Sequence, residues 1–257
     1  LKNNFIFKMI CLIKISILNV VDYLSYLKFW VSKIAIVQSN YFPWLGYFDL
    51  INYVDNFIVF DDVQFTKRYW RNRNKIKSKN GVFWLTVPVK TKGKYKQNIS
   101  EVKIDGFDWQ KKHRKSIVNT YGPSKYFEEI YDLYKPIFEN ENFVYLSEIN
   151  YLIIKLTIEY LGLNTKLYKS SEFKITDGKN QRIINLCRQA KASIYVSGEV
   201  AKKYLDEELF NVNGLSIEYF KYKNYSFNKN NVNNIENLSI IDSLFRYGKN
   251  VKKLINQ

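Results

Sequence analysis

Two adjacent carboxylates, Asp61 and Asp62, stand just ahead of a tract in which Arg68, Arg71 and Arg73 are interleaved with Tyr69, Trp70, Asn72 and Asn74. Forked guanidiniums beside amides suit a bidentate hold on phosphate or pyrophosphate. A carboxylate at a strand end, partly out of water and next to a like charge, has its pKa raised and can serve as a general base. A third carboxylate, Glu199, follows Ser197 and Gly198 in a second loop, where the glycine lets a ligand approach the backbone. The turn holding Gln38, Asn40, Tyr41, Phe42 and Trp44 offers amides and aromatic walls for a sugar or a base, and Gln64 lies just past the acidic pair. Lys179 and Arg182 open a helix whose free backbone amides would also meet an anion. Ordinary helix-start chemistry, with Asp177 as cap, explains those residues equally well.

The candidate catalytic groups are therefore Asp61, Asp62 and Glu199. Those for substrate binding are Gln38, Asn40, Tyr41, Phe42, Trp44, Gln64, Arg68, Arg71, Asn72, Arg73, Asn74, Lys179, Arg182 and Ser197. No cofactor is required by these residues, although the three carboxylates suffice chemically for Mg²⁺. Two cysteines, Cys11 and Cys187, and one histidine, His113, cannot make a four-ligand Cys/His zinc site within one chain. His113 lies among Lys111, Lys112, Arg114 and Lys115, which reads as a solvated basic helix face, and Cys187 reads as a core thiol.

The elements that must position these groups follow from periodicity. Residues 33–38 and 56–61 are short apolar runs of the kind buried on both faces of a sheet, and the polar candidates collect just past them, where an open α/β sheet keeps its ligands. Between them Tyr47, Leu50, Ile51 and Val54 share one helix face, which makes a βαβ unit. A basic hairpin is expected from strands 82–89 and 99–104 around Lys92-Gly93. Three helices follow, at 108–121 with Asp108 as cap, at 125–138 with Pro136 ending or kinking it, and at 147–161 closed by Gly162. Alternation then resumes, with strands at 167–171, 193–196 and 215–220, helices after Asp177 and at 200–205, a loop over 224–237 and a final helix from Leu238. On that helix Asp242 sits among apolar residues and needs a basic or amide partner. The expected fold is α/β, an open, mainly parallel sheet of βαβ units with a basic β-hairpin and a helical insertion in the middle. Its organisation is an extension over 1–32, a domain over 33–248 with the insertion at about 108–162, and a helical tail over 249–257.

Forty Lys and Arg against 24 Asp and Glu give a net charge of +16, and aromatic residues make up 17% of the chain. The charge points to a polyanionic partner without choosing among nucleic acid, anionic lipid and phosphorylated small molecules, and rings beside basic residues suit sugars and bases equally. Much of the charge is local, because positions 67–96 hold no Asp or Glu. Residues 1–30 are apolar but interrupted by Lys8, Lys14 and Asp22, too short a clean run for a membrane span. They read as upstream sequence, with translation beginning at Val31, or as an interfacial helix.

The runs QSNYFPWLGYFDLI (Gln38 to Ile51) and FDDVQFTKRYWRNRNKI (Phe60 to Ile76) resemble the WbqC-like protein family of bacterial O-antigen and other surface-polysaccharide gene clusters. DGKNQRII (Asp177 to Ile184), YVSGEVAKKYL (Tyr195 to Leu205) and LSIIDSLFRYG (Leu238 to Gly248) match in the same order, so the resemblance spans about 33–248. It implies glycyl or other acyl transfer to an amino sugar in a cytoplasmic protein, with contact to the inner membrane surface allowed. The βαβ start also resembles nucleotidylyltransferases, yet the H-x-G-H motif of those enzymes is missing, so adenylyl transfer by that route is not expected. The expected partner is a nucleotide-linked sugar; a nucleic-acid-binding module and a non-catalytic scaffold of polysaccharide assembly are the alternatives. Oligomeric state is left open.

Overall fold

The structure, a computed structural model, describes residues 31–223, 225 and 238–255, so the N-terminal extension and most of the Asn-rich loop lie outside the described residues. Five parallel strands form the central sheet: β1 (Lys33–Val37), β2 (Asn56–Val59), β5 (Lys166–Lys169), β6 (Ile194–Gly198) and β7 (Ser216–Phe220). Their order across the sheet is β5-β2-β1-β6-β7, so the winding reverses at the β1/β6 boundary. The two inner strands β1 and β2 are mostly apolar because each serves two cores. Ala35, Phe57 and Val59 face one layer, whereas Ile34, Ile36 and Ile58 face the other, as a period of two requires.

The larger layer holds α1 (Leu45–Tyr53), a ribbon of β3 (Arg73–Ser78) and β4 (Gly81–Thr86), and the helices α2 (Asp108–Tyr121), α3 (Phe127–Glu139) and α4 (Leu146–Leu161). The opposite face is covered by α5 (Lys179–Gln189) and α6 (Glu207–Val212). α7 (Ile240–Tyr247) and α8 (Lys252–Ile255) return to the first layer, where Val251, Leu254 and Ile255 are buried and Lys252 Nζ donates to the Gly162 carbonyl at 2.6 Å. Among the described residues no helix is long and apolar enough to cross a membrane.

The α/β class and the mainly parallel sheet agree with the sequence reading, and several local expectations are corrected. The hairpin forms one strand earlier: Lys75 pairs with Trp84, the turn is at Lys79 and Asn80, and 99–101 is a 3₁₀ turn. A dense tract of Lys and Arg hides the alternation, because Asn74 and Ile76 point inward while the basic residues between them do not. Pro136 neither ends nor breaks α3, which is held by the burial of Tyr134, Ile137 and Phe138. Neither Asp108 nor Asp177 caps a helix; Phe107 and Gly178 occupy those positions, Gly178 at φ 87°. Residues 199–203 form a 3₁₀ turn where an α-helix was expected. Gly162 closes α4 in the left-handed region at φ 59°, as its position implies.

Candidate functional site

The carboxyl ends of β1, β2 and β6 share one rim of the sheet, and the chain leaving β1 decides what the rim displays. Phe42 takes φ 40°, a conformation held by its ring packing against Tyr134 and Phe138 at 5.0 and 6.0 Å between centroids. The turn thus drives Tyr41 and Phe42 into the core, at 0% and 1% exposure. They form no wall for a ligand, which corrects the expectation for both. Trp44 stays partly buried, packed on Tyr222 and Tyr225 at 5.0 and 5.7 Å. Gly46 leaves room for that ring, since a Cβ there would lie 2.4 Å from it.

Asp61 sits behind this turn. Its Oδ1 accepts the Ser39 amide at 2.9 Å, its own amide donates to Ser170 Oγ at 3.2 Å, and the group is almost wholly buried. Burial raises its pKa from 3.8 to about 6, against the lowering effects of Ser39 and of the Arg71 charge. Asp62 is less buried; its carboxylate accepts the Ser170 hydroxyl, and its carbonyl accepts Arg182 Nη1 at 3.4 Å. Asp61, Asp62, Ser100, Glu148, Tyr151 and Ser170 are among the walls of a cleft of about 80 Å³, room for a small group of a few heavy atoms.

Arg71 closes the other side. Its Nη1 donates to the Asn40 side chain and to the Ser39 carbonyl at 3.3 Å, and its Nη2 donates to the Gln38 side chain. Only 9% of the residue is exposed, yet no carboxylate pairs with it among the described residues, and its Nε–H is buried with no hydrogen-bond partner. Desolvation lowers its pKa, opposed by its electrostatic interactions with Tyr47 and Asp61. Burying a guanidinium costs on the order of several kcal/mol unless anions answer it, and here Asp61 does so only from beyond ion-pair contact.

The remaining candidates divide. The side-chain amides of Asn72 and Asn74 are taken by the backbone, Asn72 by Val87 O at 2.9 Å, closing the base of the ribbon, and Asn74 by Phe42 O at 2.6 Å, fastening it to the turn. Arg73 donates to the Arg68 carbonyl and lies 4.2 Å from the Trp84 ring, away from Arg71's fork; Arg68 itself is exposed at φ 57°. Gln64 reaches the Tyr95 carbonyl at 2.8 Å on the exterior. Lys179 is exposed at the start of α5. Ser197 and Glu199 end β6, two strands from β2, and Glu199 is exposed. Tyr222 ties that loop to Trp44, its ring passing 3.5 Å from where Gly198 would carry a Cβ. Among the described residues no group of three or more His, Cys, Asp or Glu side chains could hold a metal ion, so Glu199 does not join Asp61 and Asp62 in an Mg²⁺ set.

Four contributors escaped the sequence reading. Ser39 bridges Asp61 and Asn150, and Tyr47 donates to the Gln38 carbonyl at 3.2 Å. Ser170 links the two aspartates, and Asn150, fully buried, holds Ser39 Oγ and the Arg71 carbonyl at 3.0 and 2.9 Å. Asn150 had a readable signal, as an amide beside Ile149 in the apolar stripe of α4; the two serines had none. His113 is a further correction. It is buried, with Nδ1 2.9 Å from the Tyr41 hydroxyl, and burial lowers its pKa to about 4. Cys187 is a buried free thiol pushed up to about 12, in keeping with a core role. Asp242 has its partners, Tyr121 Oη at 2.8 Å and Arg246 Nε at 3.2 Å.

The WbqC-like protein family matches residues 38–253, a span that includes every group of this rim. "Uncharacterized protein Rv1507c" of Mycobacterium tuberculosis (strain ATCC 25618 / H37Rv) is 45% identical over 219 residues, covering 85% of this chain and 95% of the relative. No solved structure matches. With a match that runs from the first polar residue after β1 into α8, the chain belongs to the WbqC-like protein family.

Proposed function

We propose that this protein is an enzyme of surface-polysaccharide (O-antigen) biosynthesis that binds a nucleotide-activated amino sugar and transfers an acyl or aminoacyl group to its amine. The observation that carries the reading is the juxtaposition, just past the carboxyl ends of β1 and β2 in a parallel sheet, of a buried Arg71 with no carboxylate in ion-pair contact and a buried Asp61 whose pKa is near 6. The unpartnered Nε edge of Arg71 would take the diphosphate once the side chains covering it give way. A sugar ammonium cannot attack a carbonyl, and Asp61, largely ionised at neutral pH yet more basic than an ordinary aspartate, would accept its proton. The free amine then attacks the carbonyl carbon of an activated acyl donor such as a thioester. The C–N bond forms, the C–S bond breaks with its electrons going to sulfur, and the second nitrogen proton leaves with the thiol. The cleft beside Asp61 suits the small amine-bearing part of the acceptor, with Ser100 and Ser170 as hydroxyl neighbours.

A thermal-shift series with nucleotide sugars tests it. A ligand at a hundred times its Kd stabilises by about 2.7 kcal/mol, which for a chain of this size is a rise of roughly 5–10 °C. The rise should vanish in Arg71→Lys, which loses the fork, and persist in Asp61→Asn, which should bind the sugar without transferring to it. Equal responses in the wild type and Arg71→Lys would dismiss the site.

A further inference from the structure

The basic ribbon has no part in the chemistry proposed above, and its geometry is of a different kind. Cross-strand pairing sets Lys75 opposite Trp84 and Lys77 opposite Val82. Period-two alternation turns Asn74, Ile76 and Leu85 into the core, which leaves Arg73, Lys75, Val82 and Trp84 on the outer face. Trp84 and Val82 are 38% and 37% exposed, and Tyr69 at the base of the ribbon is 50% exposed. Lys79 extends the charge at the tip, and no acidic residue occurs anywhere from 67 to 96.

A basic and aromatic surface could serve single-stranded nucleic acid or an anionic bilayer, and the ring contacts choose between them. Stacking platforms need open ring faces. Trp84 already has Arg73 at 4.2 Å and Lys75 at 5.1 Å from its ring centre, with Trp70 at 5.3 Å, so a base could stack only by displacing them. What the ribbon offers outward is cationic heads held beside indole and phenol edges, with one aliphatic side chain among them. That combination suits the phosphate layer of a membrane, where Trp and Tyr lie at headgroup depth and Lys and Arg meet anionic lipids. We infer that the outer face of the β3–β4 ribbon docks on an anionic lipid surface.

The ribbon leads directly into the site, since the Trp70 carbonyl accepts the Tyr41 amide at 3.1 Å and Asn74 holds the turn. Docking through it would set the Arg71 rim close to the headgroup layer. The inference does not depend on acyl transfer.

Co-sedimentation of the full chain with phosphatidylcholine vesicles, with and without phosphatidylglycerol, tests it. Partition should require phosphatidylglycerol and fall with added salt. Lys75→Gln with Lys79→Gln should weaken partition roughly 25-fold, about fivefold per lost cation. Trp84→Ala, checked for folding by its melting curve, should weaken it further. Equal partition on neutral vesicles would overturn the inference. So would partition that ignores the two lysine changes, whatever other part of the chain meets lipid, or tight binding of a single-stranded oligonucleotide without vesicle partition.

Discussion

Replacing Asp61 by Asn isolates the cost of keeping a carboxylate in the floor of the site. The native carboxyl titrates near 6 against 3.8 for an unperturbed one, chiefly because burial disfavours its charge. At 1.36 kcal/mol per pH unit this difference corresponds to ~3 kcal/mol, with little reduction for solvent because the group is nearly all buried. The sign follows from proton binding. Below about pH 3.8 the group is neutral in both folded and unfolded chains and costs nothing. Between 3.8 and about 6 the unfolded chain gives up its proton while the native chain retains it, so stability falls as pH rises, and above about 6 the full cost is present. The substituted side-chain amide would not titrate, and its oxygen can still accept the Ser39 amide. The stability of Asp61→Asn relative to the wild type should therefore climb by ~3 kcal/mol across that window and level off above it. Urea unfolding of both proteins over a pH series measures the difference and cancels other titrating groups. The change with pH carries the test, since a constant offset includes the loss of Arg71's nearest negative charge. A flat difference, or one that falls as pH rises as for an ion-paired aspartate, would refute the reasoning.

His113 gives the opposite dependence. Its pKa is lowered from 6.5 to about 4, so the native state should lose ~3 kcal/mol as pH falls through that range, and His113→Gln, followed by the same unfolding series, should lose much less. Asp242→Ala strips a buried hydroxyl, that of Tyr121, of its acceptor and should cost about 1–3 kcal/mol in equilibrium unfolding. Gly46→Ala forces the Trp44 ring off Tyr222 and should cost ~1–3 kcal/mol, with a change in tryptophan emission reporting the displaced ring.

Much of the scaffold was legible because its signals are local. β1 and β2 are short, apolar and β-branched or aromatic, which only a strand buried on both faces requires, and α4 carries an apolar stripe closed by a glycine that must adopt positive φ. The hairpin was misplaced because its inner residues include Asn74, a polar side chain whose acceptors lie in a loop more than thirty positions earlier. His113 was misjudged for a related reason: four neighbouring charges mark the helix as exposed, but the imidazole falls with Trp109 on the buried stripe that meets Tyr41.

By itself the sequence determined the α/β alternation, the cluster of basic residues without acids, and the motifs that carry the family. Apolar period, charge composition and chain-ordered motifs are all properties of the linear chain. Which candidates meet a ligand was decided by tertiary structure. Phe42 turns inward because Tyr134 and Phe138 receive it, Arg73 is drawn to Trp84 across the ribbon, and Asp61 meets Ser39 because β1 and β2 are neighbours. Arg71 is set apart from the other arginines because the fold buries it among three neutral acceptors, while its unanswered Nε–H is shared with Arg73. A donor without an acceptor depends on what surrounds a side chain in space, and no pattern along the chain encodes it.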